Sequence, residues 1–210
     1  MAATCLSVYY DISDRFERSE LIGMLNLEKH RRLIRKIAQY GCEYYWNRAA
    51  AICLLDPGNK IDHRIIVNTA KSYTNEGYNG ENDICVATSM LQRFRDLKVL
   101  IEIASDIRQD PKVRIIALKK LDPERDGNAI AKIVTRKVTI EYRSQYVYDQ
   151  NVRIVAIRLL DPAIYRLALE QVALNPNEES YTLAAEDAQA YLGIPIAERP
   201  SAVHHFCPKC

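Results

Sequence analysis

The sequence predicts an all-α chain, a right-handed α-solenoid of about five helix–turn–helix pairs with a terminal capping helix, filling residues 1–192. Three observations carry this. The stretch NVRIVAIRLLDPAIYRLAL at 151–169 places Val152, Val155, Ala156, Leu159 and Leu160 at helical spacing, so its first half presents a wide apolar face. Asp161 and Pro162 then break that helix and open a second, carrying Ile164, Leu167, Ala168 and Leu169, because Asp accepts from first-turn amides and Pro suits the first helical position. Finally, imperfect copies of this unit recur along the chain, and such a pair buries its apolar faces only by stacking on neighbours.

Taken in order, the units align on the leucine that ends each first helix: Leu25, Leu55, Leu91, Leu121 and Leu160, with spacings of 30, 36, 30 and 39. The residue after each leucine is the turn, Asn26, Asp56, Gln92, Asp122 and Asp161, with Pro at 57, 123 and 162. Unit three departs from the pattern, with Gln92-Arg93 where the others carry Asp-Pro. A small residue sits four before the leucine at Ala51, Ala87, Ala117 and Ala156, where close helix packing favours it, while unit one has Leu21. In the second helices the core column is Ile37, Val67, Ile103, Ile133 and Val172, followed by Ala38, Asn68, Ala104, Val134 and Ala173.

One polar column accompanies the apolar ones: Arg18, Arg48, Ile84, Arg114 and Arg153, each seven before the leucine. An arginine there is placed to reach a turn Asp and build a ladder of charge-assisted hydrogen bonds, broken at unit three. The other reading is a row of anion sites.

Extra length falls at 71–83, a Gly- and Asn-rich loop, and at 135–150, which reads as a prolonged second helix followed by a turn. Eight of the 13 tyrosines, at 40, 44, 45, 73, 78, 142, 146 and 148, lie in or beside the junctions between units, together with Trp46. Tyr combines large contact area with a polar tip, so Tyr44, Tyr45, Trp46, Tyr142 and Tyr146, with Arg136, form a candidate partner-binding edge. Rings that plug gaps between helix ends are the alternative. A basic cluster, His30, Arg31, Arg32, Arg35 and Lys36, sits on the second helix of unit one, and Lys132, Arg136, Lys137 and Arg143 on that of unit four. Arg32, Arg35 and Lys132 are the candidate phosphate contacts, although Glu28, Glu102, Asp106, Glu124 and Asp126 interrupt the set, as on an ordinary solvated face.

After unit five, residues 180–192 resemble one more first helix, closed by Gly193 as a C-cap. The tail, 193–210, is aperiodic and ends in HHFCPKC. Cys207 and Cys210 flank a Pro-Lys turn that suits two thiolates on one tetrahedral zinc, with His204 as a third ligand. The motif resembles half of a zinc ribbon. The expectation is a metal-free tail, or zinc shared between two chains, with exposed thiols as the other reading and no further cofactor.

Composition bounds the rest. Apolar residues make up 48% of the 210, and 29 basic against 27 acidic side chains leave a net charge of +2, too balanced to imply nucleic acid by itself. The opening MAATCLSVYY has no basic leader region and no run nears the roughly 18 apolar residues of a membrane span. Six scattered cysteines, of which 42, 53 and 85 fall inside apolar helical patterns, point to packed thiols and a reducing, cytoplasmic setting. No Ser-His-Asp set, phosphate-cradling Gly loop or HExxH stands out.

The segments KVRIIALKKLDP and NVRIVAIRLLDP resemble the HEAT-like short repeats of the bilin-lyase type, and the similarity covers about 14–192. The resemblance implies the α-solenoid and is nearly silent on activity, since such repeats serve scaffolds, lyase subunits and alkylation-repair DNA glycosylases alike. The expected function is therefore a non-catalytic scaffold that holds a protein or peptide on its concave face or Tyr-rich edge. A nucleic-acid-binding or repair protein and a lyase-type enzyme subunit are the rivals; no membrane partner is expected.

Overall fold

The computed structural model of the chain describes residues 12–39, 44–73, 81–136, 143–174 and 183–194, with the backbone alone at 12–16, 81–82 and 143–148. These residues form eleven α-helices and no strand. They fall into two compact units, Met1–Leu121 and Asp122–Cys210. The first contains α1 (Ile12–Gly23), α2 (Leu27–Gln39), α3 (Tyr45–Cys53), α4 (Lys60–Ala70), α5 (Glu81–Met90), α6 (Arg93–Ser105) and α7 (Pro111–Lys119). The second contains α8 (Pro123–Thr135), α9 (Arg143–Leu159), α10 (Arg166–Ala173) and α11 (Leu183–Leu192). No helix among the described residues is long and apolar enough to cross a membrane.

Within the first unit, α1, α3, α5 and α7 pack in sequence on one another, while α2, α4 and α6 pack against α3, α5 and α7 respectively. In the second unit, α9 packs on α8 and α11, and α10 packs on α8 and α11. The expected first-helix core column supplies these contacts, while in the second-helix column Asn68 is exposed and Ile37 and Val67 are half-buried. Ala87, Leu91, Ala117, Leu121, Ala156 and Leu160 are all buried, as are Ala51 and Leu55. Leu21, where the small residue is missing, points outward.

Asn26 and Asp122 act as helix caps, while Asp56 and Asp161 close turns ahead of α4 and α10, whose caps are Asn59 and Tyr165. Carboxylate or amide oxygens of Asn26, Asp56, Asp122 and Asp161 accept from the amides of Lys29 (3.1 Å), Gly58 (2.8 Å), Glu124 (3.0 Å) and Ala163 (2.8 Å). These acceptors engage backbone amides within their own turns, and the arginine column reaches other groups as well. The Nε of Arg114 donates to the carbonyl of Ala104 at 3.1 Å, and Nη2 of Arg153 donates to the carbonyl of Arg136. Both acceptors lie at the C-terminal end of the preceding second helix, where carbonyls lack helical partners and the helix dipole favours a cation. Arg48 pairs with Asp83 at 3.0 Å, one residue before Ile84. The column thus packs into the structure, with helix ends and a neighbouring carboxylate among its partners. Arg114 and Arg153 are buried and present nothing to an anion.

Three expectations about the elements need correction. The extra length at 135–150 lengthens the first helix of unit five: α8 stops at Thr135 with Arg136 in extended geometry, and α9 runs for 17 residues from Arg143. Pro162 does not open α10, because 162–165 makes a separate turn and the helix begins at Arg166, leaving Ile164 and Leu167 exposed. That turn directs the Tyr165 ring onto Gly127 of α8, where a methyl group would meet Tyr165 Oη at 2.2 Å. Cys53 is exposed at the end of α3 and does not pack as a small hydrophobe, while Cys85 is half-buried. Cys42 lies outside the described residues.

Candidate partner-binding face

A second polar column, unread in the sequence, orders the second helices of the first unit. Asp62 of α4 and Asp96 of α6 are buried near the start of their helices. Each reaches back to its own turn, accepting from the amide of Asp56 (3.3 Å) or Gln92 (2.8 Å), and each holds a base from the preceding second helix. Asp62 takes Arg31 Nη1 at 3.2 Å and Arg35 Nε at 2.5 Å; Asp96 faces His63 Nε2 at 2.7 Å. Asp126 of α8 repeats the backward reach, accepting from the amide of Asp122 at 2.9 Å. The signal was present as an Asp four after the turn in units three and four. In unit two Pro57-Gly58-Asn59 moves it to six, which hides the column from a fixed register.

The consequence is a sorting of charge. Because the carboxylates near the starts of α4 and α6 point inward, bases outnumber acids on the solvent face of α2, α4 and α6. On α2 that face shows Lys29, Arg32 and Lys36; on α4, Lys60 and Arg64; on α6, Arg95 and Lys98. Six of these, all but Arg95, have no ion-pair partner among the described residues, and Arg95 donates to the carbonyl of Pro57. Apolar side chains stand among them: Leu33 is 49% exposed, Ile61 46% and Phe94 84%. An open depression of about 330 Å³ along α4 is lined by Lys60, Ile61, His63, Arg64 and Val67. Another of about 510 Å³ runs along α2 past His30, Arg32 and Leu33. Glu28 stands at one end of the face, and Glu102, paired with Lys71 at 2.8 Å, on α6.

A junction cluster lies between α4 and α7. Tyr73 Oη donates to Asp106 Oδ2 at 2.7 Å, and the Arg108 guanidinium grips the same carboxylate while lying 4.8 Å over the Tyr73 ring. Hydrogen bonds from Arg108, joined by that from Tyr73, hold the Asp106 carboxyl down to about 2, against its partial burial. A carboxylate lowered in this way adds stability that is complete above its ordinary value of about 3.9 and fades as pH falls towards 2. Acid titrations of Asp106→Asn and the native chain are accordingly expected to converge near pH 2 and separate above pH 4. A gap that stays constant with pH would show that the carboxylate is not stabilising. Here the tyrosine joins two helix ends, which is the gap-filling role. At Asp83 the opposite holds: burial pushes the carboxyl up, and the Arg48 guanidinium only partly offsets it.

The expected site residues fall in both units, and some lie outside the described residues. Tyr44 and Trp46 are exposed at the start of α3, with the Tyr45 and Trp46 rings 4.8 Å apart. Tyr142 lies outside the described residues, and Tyr146 is placed by its backbone alone on α9. Arg32 is exposed on α2, whereas Arg35 is committed to Asp62 and to Asn59 Oδ1 at 3.0 Å. Lys132 and Arg136 are exposed in the second unit, Arg136 beyond the end of α8 rather than on it. His204, Cys207 and Cys210 lie outside the described residues, among which no three His, Cys, Asp or Glu side chains converge as metal ligands. Compared with known proteins, the chain matches no family model, no curated protein and no solved structure.

Proposed function

We propose that this chain is a non-catalytic binding scaffold of a reducing, cytoplasmic setting, a HEAT-like α-solenoid that holds a protein or peptide partner on the second-helix face of its first unit. The observation that carries the reading is the sorting of charge: Asp62 and Asp96 turn inward, and unpaired bases stand outside with Leu33, Ile61 and Phe94 between them. Interfaces draw affinity from apolar anchors and orientation from a charged surround, and this face offers both. A nucleic-acid partner is the second reading, favoured by the excess of exposed Lys and Arg. It is the weaker one, because aliphatic Leu33 and Ile61 do not stack on bases and Arg35 is spent on Asp62.

The test is photo-crosslinking in extracts of the source cells, with a photoreactive phenylalanine analogue at Phe94 or Arg64 and a control at Lys119 on α7. Protein adducts at the first two positions and none at Lys119 are expected. Adducts that nuclease removes and protease spares would transfer the face to nucleic acid, and equal labelling at Lys119 would end the assignment.

A further inference from the structure

We infer that the segment seated on α2, α4 and α6 is an acidic peptide that carries apolar side chains between its carboxylates. This deepens the scaffold reading and rests on it. The argument is one of complementarity. Arg32 and Arg64 stand within one helical turn of an exposed apolar neighbour, Leu33 and Ile61 respectively, and Lys98 lies four residues after exposed Phe94 across a kink at Asp96, on three successive second helices. A base next to an apolar group therefore recurs on each helix. A neutral apolar peptide would leave those cations facing a desolvated interface, which costs free energy, and a uniformly acidic one would leave the apolar side chains uncovered.

The sign of the charge has a structural origin. The carboxylates that would otherwise neutralise the face, Asp62 at 0% exposure and Asp96 at 4%, are held inside by backbone amides and by Arg31, Arg35 and His63. They cannot turn out to meet the exposed bases without abandoning their own turns. The positive face is therefore fixed by the same contacts that join α2 to α4 and α4 to α6. A peptide that supplies carboxylates would be steered there at a rate that falls with salt, while contact with Phe94 and Ile61 would persist in salt.

The experiment is selection of a phage-displayed library of random peptides of about twelve residues, a length typical of groove-bound segments, on the full chain. Selected peptides are then synthesised and titrated by fluorescence anisotropy. Enrichment of Asp and Glu together with Leu, Ile or Phe is expected. Phe94→Ala should weaken the enriched peptides about tenfold with little change in salt dependence. Arg64→Glu with Lys98→Glu should weaken them at least about tenfold and flatten the salt dependence. All three side chains are exposed, so circular dichroism should match the native chain. Peptides that lack acidic residues, or that ignore both variants, would overturn the inference. So would an empty selection; if crosslinking still captures a protein at Phe94, the scaffold reading survives and only the acidic class falls. Single-stranded DNA of equal charge binding more tightly than every selected peptide would overturn both.

Discussion

Arg153→Ala is expected to destabilise the second unit by about 3–5 kcal/mol, the range for removing one partner of a buried charge pair. The guanidinium is 2% exposed, lies 3.1 Å from the buried carboxylate of Asp149 and donates to the carbonyl of Arg136 beyond the end of α8. Without it, Asp149 loses this ion-pair partner in a site closed to water and the end of α8 loses a donor. Adding Asp149→Asn to Arg153→Ala should restore part of the loss, since the carboxylate left without its arginine is then replaced by a neutral amide. Urea melts should be followed by far-UV circular dichroism, because the single tryptophan, Trp46, belongs to the other unit. A loss below about 1 kcal/mol, the scale of an exposed pair, would show that water reaches the site.

Gly127→Ala separates two physical arguments that give opposite signs. Helix propensity alone favours Ala over Gly inside a helix by about 1 kcal/mol. The built position of the methyl, 2.2 Å from Oη, 2.5 Å from Cζ and 2.7 Å from Cε2 of Tyr165, requires the ring to leave its site. Overpacking of this kind costs about 1–3 kcal/mol, so a net loss is expected. In a Tyr165→Ala background the ring is gone and the same Gly127→Ala change should be neutral or stabilising. A Gly127→Ala protein more stable than the native one would mean that α10 moves away from α8 at little cost.

Much of the fold was legible because helical periodicity and turn chemistry are local. The column of Leu91, Leu121 and Leu160 with Ala87, Ala117 and Ala156 predicted buried positions, and all six are buried. Asp122 opens α8 as a cap, whereas Asp56 and Asp161 close turns two residues on and leave the caps of α4 and α10 to Asn59 and Tyr165. The start of α10 was not legible: Asp161-Pro162 reads like Asp122-Pro123, and the two diverge because Tyr165 finds room over Gly127, a contact 38 positions apart in the chain. The candidate site was less legible still. The basic cluster on α2 was visible as composition, yet Arg32 and Arg35, three residues apart, have opposite fates, one exposed and one locked onto Asp62.

By itself, then, the sequence determined the helical stretches and the Leu and Ala positions of the core, since these follow from side-chain period within a few residues. Tertiary structure alone decided which charges are spent. Whether an arginine or an aspartate faces water depends on what the neighbouring helix offers it: Arg114 and Arg153 end on carbonyls of another helix, and Asp62 and Asp96 end beneath bases of another helix. A charge buried with a partner adds nothing to the surface field, so a nearly neutral chain presents a positive face on α2, α4 and α6.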